Sequence, residues 1–200
     1  MKWVAGLAAG AVWLMACMPA IAQPTSKTFD ELNEDELGEL YCVYDELDFY
    51  VDHKVLVDGY RAGNPEAAGY KQQLGEVEAS VAECLDMFEW DQGRQDSAAM
   101  IGFYGVMGDE LERRLSAVGL THAELEAFYV NIEKLGDGDI TAFLDGSWKT
   151  NKDVLQRVKA AAGTKVAGNP SMADDAAYLA ESYIIVSMLT MDWLKGVPKS

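Results

Sequence analysis

From about residue 30 to residue 195, apolar side chains recur three and four apart, segment after segment, and no stretch alternates apolar with polar over the length of a strand. That spacing matches the 3.6-residue turn of an α-helix, so the chain is expected to be all-α. In a first helix over about residues 30–58, Leu37, Leu40, Tyr44, Leu47, Val51 and Val55 share one face, while Cys42, Phe49, His53, Leu56 and Tyr60 fall nearly opposite. A helix apolar on two faces is expected between neighbours, at the centre of the fold.

Residues 59–63 then turn the chain, Asn64 supplies a cap, and Pro65 suits the first position of a second helix running to about Trp90. Asp96 or Ser97 opens a third helix carrying Ile101, Tyr104, Met107, Leu111, Leu115 and Val118. Thr121 and Glu124 form a capping box for a fourth, which Gly136 ends. An irregular stretch to Asn151 holds a short helix near residues 140–144, and a fifth helix covers about residues 152–162. A loop over residues 163–170 leads to a last helix, opened by Ser171 and Asp174 and ending near Lys195. These signals predict one bundle of five to six helices over residues 23–200, without internal repeats or a dividing linker.

Two of the three cysteines lie inside this bundle. Cys42 and Cys84 stand at similar distances on either side of the 59–64 turn, so in an antiparallel helix pair they would differ in height by only about 4.5 Å. That is bridgeable, and an even pair outside the cytoplasm reads as one disulfide. Neither belongs to a C-x-x-C or lies near a histidine, which argues against redox chemistry and zinc.

The third cysteine belongs to a leader. Lys2 precedes an apolar run over residues 3–16, Pro19 breaks it, and Ala20-Ile21-Ala22 places small side chains where signal peptidase needs them. Cleavage after Ala22 predicts a soluble periplasmic or secreted chain with no membrane-spanning segment. Leu14-Met15-Ala16-Cys17 competes as a lipoprotein box, in which Cys17 would carry the lipid and tether the chain to the inner or outer membrane; Met15 fits that box poorly.

Charge excludes one class of partner. At a formal −17, with no basic patch, the chain repels nucleic acid and anionic headgroups, and it attracts cations and basic proteins or peptides. Glu34, Tyr41, Asp45, Asp48 and Asp52 line one side of the first helix; a solvated face is the ordinary reading, and a dock for a basic partner is the functional one.

Gly102, Gly105 and Gly108 recur within an apolar stretch, although glycine inside a helix costs about 1 kcal/mol relative to alanine. Either a neighbouring helix approaches closely there, or bared backbone lines an apolar pocket together with Met100, Phe103, Tyr104 and Met107. Asp137-Gly138-Asp139-Ile140-Thr141 and Asp145 suggest a calcium loop, but Ala142 stands where glycine is needed and Trp148 where the bidentate glutamate belongs, so capping by Asp137 or Asp139 is expected instead. Met100, Met107, Met172, Met188 and Met191 at helical spacing read as core filling rather than copper ligands, and no haem-attachment motif accompanies His53 or His122.

No nucleophile elbow, zinc-protease helix or phosphate loop occurs, no catalytic residue stands out, and no cofactor is implied. The sequence therefore points to an exported, non-enzymatic binding or accessory protein of the bacterial envelope, holding a protein partner or a small apolar ligand. The alternatives are a glycan-active enzyme using carboxylates of the first helix or of residues 137–145, and a metal- or haem-binding bundle.

Overall fold

The computed structural model describes residues 27–195, and the leader with its Ala22 and Cys17 alternatives lies outside them. The described residues are all-helical: α1 (Glu34–Tyr50), α2 (His53–Ala62), α3 (Ala68–Met87), α4 (Gln92–Ala117), α5 (His122–Ile132), α6 (Asp137–Leu144), α7 (Lys152–Ala162), α8 (Thr164–Ala167) and α9 (Pro170–Lys195). These are nine helices among the described residues where five to six were expected; α8 stands inside the expected 163–170 loop, and the first predicted helix is split.

The first predicted helix is two. Val51 adopts extended backbone, and the Asp52 side chain accepts the Val55 N–H at 3.0 Å, so Asp52 caps α2 instead of continuing α1. The Asp52 N–H would be orphaned at this break, but the side-chain oxygen of buried Gln73 on α3 accepts it at 2.8 Å. The two apolar faces read from one helix therefore belong to two differently directed helices. The expected 59–63 turn is also displaced: Gly59 to Arg61 are helical, and the chain turns at Gly63, which takes the left-handed conformation.

Other boundaries shift because a nearer cap wins. Asn64 accepts from Glu66 within a turn, and α3 starts only at Ala68. Asp91 accepts the Arg94 N–H at 2.8 Å and starts α4 earlier than Asp96 or Ser97 would. Asn169 takes the N–H groups of Ser171 and Met172, so α9 opens on Pro170 without the Ser171–Asp174 pair. The Thr121–Glu124 box caps α5 as expected, and α7 has the expected span.

The two 26-residue helices α4 and α9 form the most extensive packing in the fold, so they, and not the first helix, are its centre. α4 buries Ile101, Val106, Met107, Leu111 and Leu115, while α9 buries Ala173, Ala176, Ala177, Leu179 and Ala180. Each fully buried Leu or Ile contributes about 1.5–3 kcal/mol of transfer free energy, which explains why these two apolar stripes organise the rest. α1 packs on α4 and α3, α2 on α3 and α4, and α7 bridges α5 and α9. Cys42 on α1 and Cys84 on α3 form the expected disulfide, with their Cα atoms 6.0 Å apart. Among the described residues no helix is long and apolar enough to cross a membrane.

Candidate functional site

A cleft of about 740 Å³ opens between α2, α3, α4, α6 and α9. Its walls are apolar: Leu74, Val77 and Val81 come from α3, and Ala99, Met100 and Phe103 from α4. Phe143 and Leu144 of α6 and Ile185 of α9 close the far side. A pocket of this size with one small group of polar side chains is the usual form of a site for a small organic molecule. A second recess, between α5 and the α7–α8 corner, is about 230 Å³ and correspondingly less suited to one.

The polar group in the cleft is built from three helices and a turn. Glu181, on α9, is 2 % exposed, and its Oε1 accepts from the Tyr60 hydroxyl of α2 at 3.1 Å. The Tyr60 and Tyr104 hydroxyl oxygens are 2.9 Å apart. With Glu181 ionised, the single Tyr60 proton points to the carboxylate, so Tyr104 donates to Tyr60. Lys149, on the 3₁₀ turn Ser147–Lys149, donates to the Tyr60 oxygen at 3.4 Å and stands 3.8 Å from Glu181 Oε1. Glu181 Oε2 is buried and has no hydrogen-bond partner; the nearby indole N–H of Trp148 makes no hydrogen bond of normal geometry either.

Burial pushes the Glu181 carboxyl above the ordinary carboxylate range, against the opposing pull of the Lys149 ammonium, the nearby Trp148 indole N–H and the Tyr60 hydroxyl. Burial likewise raises the Tyr60 and Tyr104 hydroxyls far above the ordinary phenol range, and the Glu181 charge adds to it. Around this group the rings of Tyr60, Phe103, Tyr104 and Tyr178 meet edge to face, which fixes the orientation of Tyr60.

The residues singled out by sequence divide into those the cleft uses and those it does not. Met100, Phe103 and Tyr104 line it, whereas Met107 is fully buried in the core. Gly102, Gly105 and Gly108 do not line it. A Cβ on Gly102 would stand 2.7 Å from Val43 Cγ1 and 3.0 Å from the α1 backbone, and one on Gly105 would stand 2.6 Å from the Tyr44 ring. These two glycines admit α1 to close contact, and Gly108 meets Ser182 and Leu179 of α9 at ordinary distance. The cleft lies along the other side of α4.

The acidic residues do not converge. Asp45 and Asp48 are exposed on α1 beside Phe49 and Tyr50, and Asp52 is used as a cap. The segment whose residues suggest a calcium loop is the helix α6. Asp139 turns inward to a two-bonded ion pair with Arg157, and Gly136, rather than Asp137 or Asp139, occupies the cap position, because Asp139 finds a stronger partner. Asp145 caps the Ser147 N–H at 2.8 Å on the rim of the cleft. Among the described residues no group of three or more His, Cys, Asp or Glu side chains is arranged to hold a metal ion. Met107 and Met172 are core, Met100 is in the cleft and Met191 is on the surface.

Sequence reasoning missed Glu181, Lys149 and the cleft role of Tyr60. One signal was available: Glu181 is the single charge between Asp175 and Asp192, inside a run of Ala, Tyr, Leu, Ile and Val. A lone carboxylate in such a run is buried, and a buried carboxylate needs partners. Compared with protein-family models, curated proteins and solved structures, the chain gives no match.

Proposed function

We propose that this chain is an exported, non-enzymatic binding protein of the bacterial cell envelope, and that it holds a small, largely apolar ligand in the cleft between α3, α4 and α9. The observation that carries this reading is the cleft itself: about 740 Å³ walled largely by aliphatic and aromatic side chains, with Tyr60, Tyr104 and Lys149 gathered around Glu181. In the same reading α1 and α3 form an antiparallel pair within the bundle, and their disulfide braces the wall that α3 contributes. Export rests on the leader at residues 1–22 and accords with the disulfide.

Titration with phenylnaphthylamine, an uncharged fluorophore that brightens in apolar surroundings, tests this directly. The parent chain should bind it with a micromolar constant, and Ala99→Trp, which fills the cleft from α4, should lose that binding while keeping its helical circular dichroism. An absence of binding, together with no rise in melting temperature across a panel of apolar ligands, would remove the reading.

A second reading has one observation behind it. Phe49 is 80 % exposed and its ring meets that of Tyr50 edge to face beside Asp45 and Asp48, an acidic and aromatic surface suited to a basic protein or peptide. Salt-sensitive capture that is lost in Phe49→Ala would favour it. A glycan-active enzyme has less support, because Asp45 and Asp48 of α1 are exposed, Glu36 and Glu39 are engaged with Lys27 and Arg94, and the cleft walls are largely apolar.

A further inference from the structure

The polar end of the cleft already holds an ammonium group, the protein's own. Lys149 Nζ stands 4.6 Å from the centre of the Tyr60 ring, 5.6 Å from that of Tyr178 and 5.8 Å from that of Trp148. The Tyr60 oxygen lies 3.4 Å from it and Glu181 Oε1 3.8 Å. Ring faces carry negative charge density, so three rings and a carboxylate around one point make a position where an amine is favoured over water or an anion.

Lys149 holds this position loosely, while the position itself is rigid. Its contact with the Tyr60 oxygen, at 3.4 Å, is at the long limit of a hydrogen bond, and its separation from Glu181 is beyond it. The side chain is 38 % exposed and hangs from a surface turn on a flexible four-carbon stem. Glu181, by contrast, is buried in α9, and Tyr60 is held by Tyr104, Glu181 and the surrounding rings. The second carboxylate oxygen, Oε2, is buried and makes no hydrogen bond of normal geometry.

We propose that this end of the cleft binds a primary ammonium group carried on an apolar body, its nitrogen displacing Lys149 Nζ and approaching Glu181 Oε1 closely enough to donate to it, while the body lies against Val77, Val81, Ala99 and Phe103. The inference rests on the cleft reading above and specifies the head group. A primary ammonium fits better than a quaternary one because Glu181 and Tyr60 offer oxygens that accept N–H donors. The sign of charge follows from the lining: Glu78, Asp96, Asp145 and Glu181 are acidic, and Lys149 is the single basic residue among them. A carboxylate head would meet four acids with Lys149 alone to receive it. An amine displaces Lys149 to solvent and keeps the carboxylate paired.

Calorimetric titration of the full chain at neutral pH, with phenylbutylamine, phenylbutanol and phenylbutanoate as size-matched probes, decides the matter. The amine should bind about tenfold tighter than the alcohol, and the carboxylate more weakly than either. In Lys149→Ala the amine should gain several-fold, since it no longer competes with a tethered ammonium. In Glu181→Gln its advantage over the alcohol should disappear. Tighter binding of the carboxylate, lost in Lys149→Ala, would overturn the proposal by making Lys149 the receptor of an anion. Equal binding of all three probes would also overturn it. If phenylnaphthylamine binds and none of the three does, the head-group assignment fails while the cleft reading stands. If phenylnaphthylamine fails as well, both fall.

Discussion

The Tyr60 hydroxyl donates to Glu181 Oε1 at 3.1 Å, joining α2 to α9 across 121 residues of chain. Through that one bond a phenol and a carboxylate share a buried environment that disfavours the charged form of each. The pair sets both the polarity of the cleft and its response to pH.

Glu181 should make the protein less stable as pH rises. Its carboxyl titrates above the ordinary value of 4.5 when folded, so the native state holds the proton more tightly than the unfolded chain does. The stability this contributes is fully present below about pH 4.5 and is lost as pH climbs through the raised folded value. Glu181→Gln imitates the protonated form. Its melting temperature relative to the parent should therefore rise with pH above about 4.5. A difference that is flat from pH 4 to pH 8, or that falls, would contradict the burial argument.

Gly102→Ala and Gly75→Ala should act in opposite directions. A Cβ on Gly102 meets the α1 backbone at 3.0 Å, so α1 and α4 must separate, at about 1–3 kcal/mol for overpacking. Gly75 lies exposed in α3 with nothing within 4 Å of the added carbon. There alanine should stabilise by about 0.5–1 kcal/mol, through helix propensity and a less flexible unfolded chain. Urea denaturation of the two variants measures both signs.

Replacing Cys42 and Cys84 together by serine should cost about 4 kcal/mol on the loop-entropy model for their separation of 42 residues. For a domain of this size that is a fall of roughly 8–16 °C in melting temperature. The parent, unfolded without reductant, should show no reactive thiol at either position.

The break between α1 and α2 should be a separate source of stability. Gln73→Leu leaves the Asp52 N–H without its acceptor and should cost about 1–3 kcal/mol, although leucine is the more apolar side chain. Asp52→Ala removes the α2 cap and should cost about 1 kcal/mol. Equilibrium unfolding of each variant, and hydrogen exchange at the Asp52 amide, would show whether the loss is local.

Intact-mass measurement of the chain recovered from the envelope of a bacterial host checks the leader. We expect a chain beginning at Gln23. A chain beginning at a heavier Cys17 would mean lipidation and a tethered protein instead.

Helix content, the Thr121–Glu124 cap, the span of α7 and the disulfide were legible because each depends on residues close in sequence or on a simple height match between helices. The α1–α2 break was not. No glycine or proline marks it, and its stability depends on Gln73, which only the fold brings to Asp52. The glycines at 102 and 105 left two readings open in the sequence, close approach or pocket lining, because which side of α4 is open to a ligand depends on where α1 docks. Asp139 was read as a cap because its partner, Arg157, lies 18 residues away on α7.

The sequence by itself determined that the chain is helical and strongly acidic and that Cys42 and Cys84 pair. These properties follow from periodicity, composition and local chemistry. Tertiary structure alone decided that α4 and α9 form the centre and that their outer side is a cleft. It also decided that Tyr60, Lys149 and Glu181 meet there. The physical reason is range: helix propensity and capping act within about a turn of chain, whereas the polar site depends on helices far apart in sequence packing side by side.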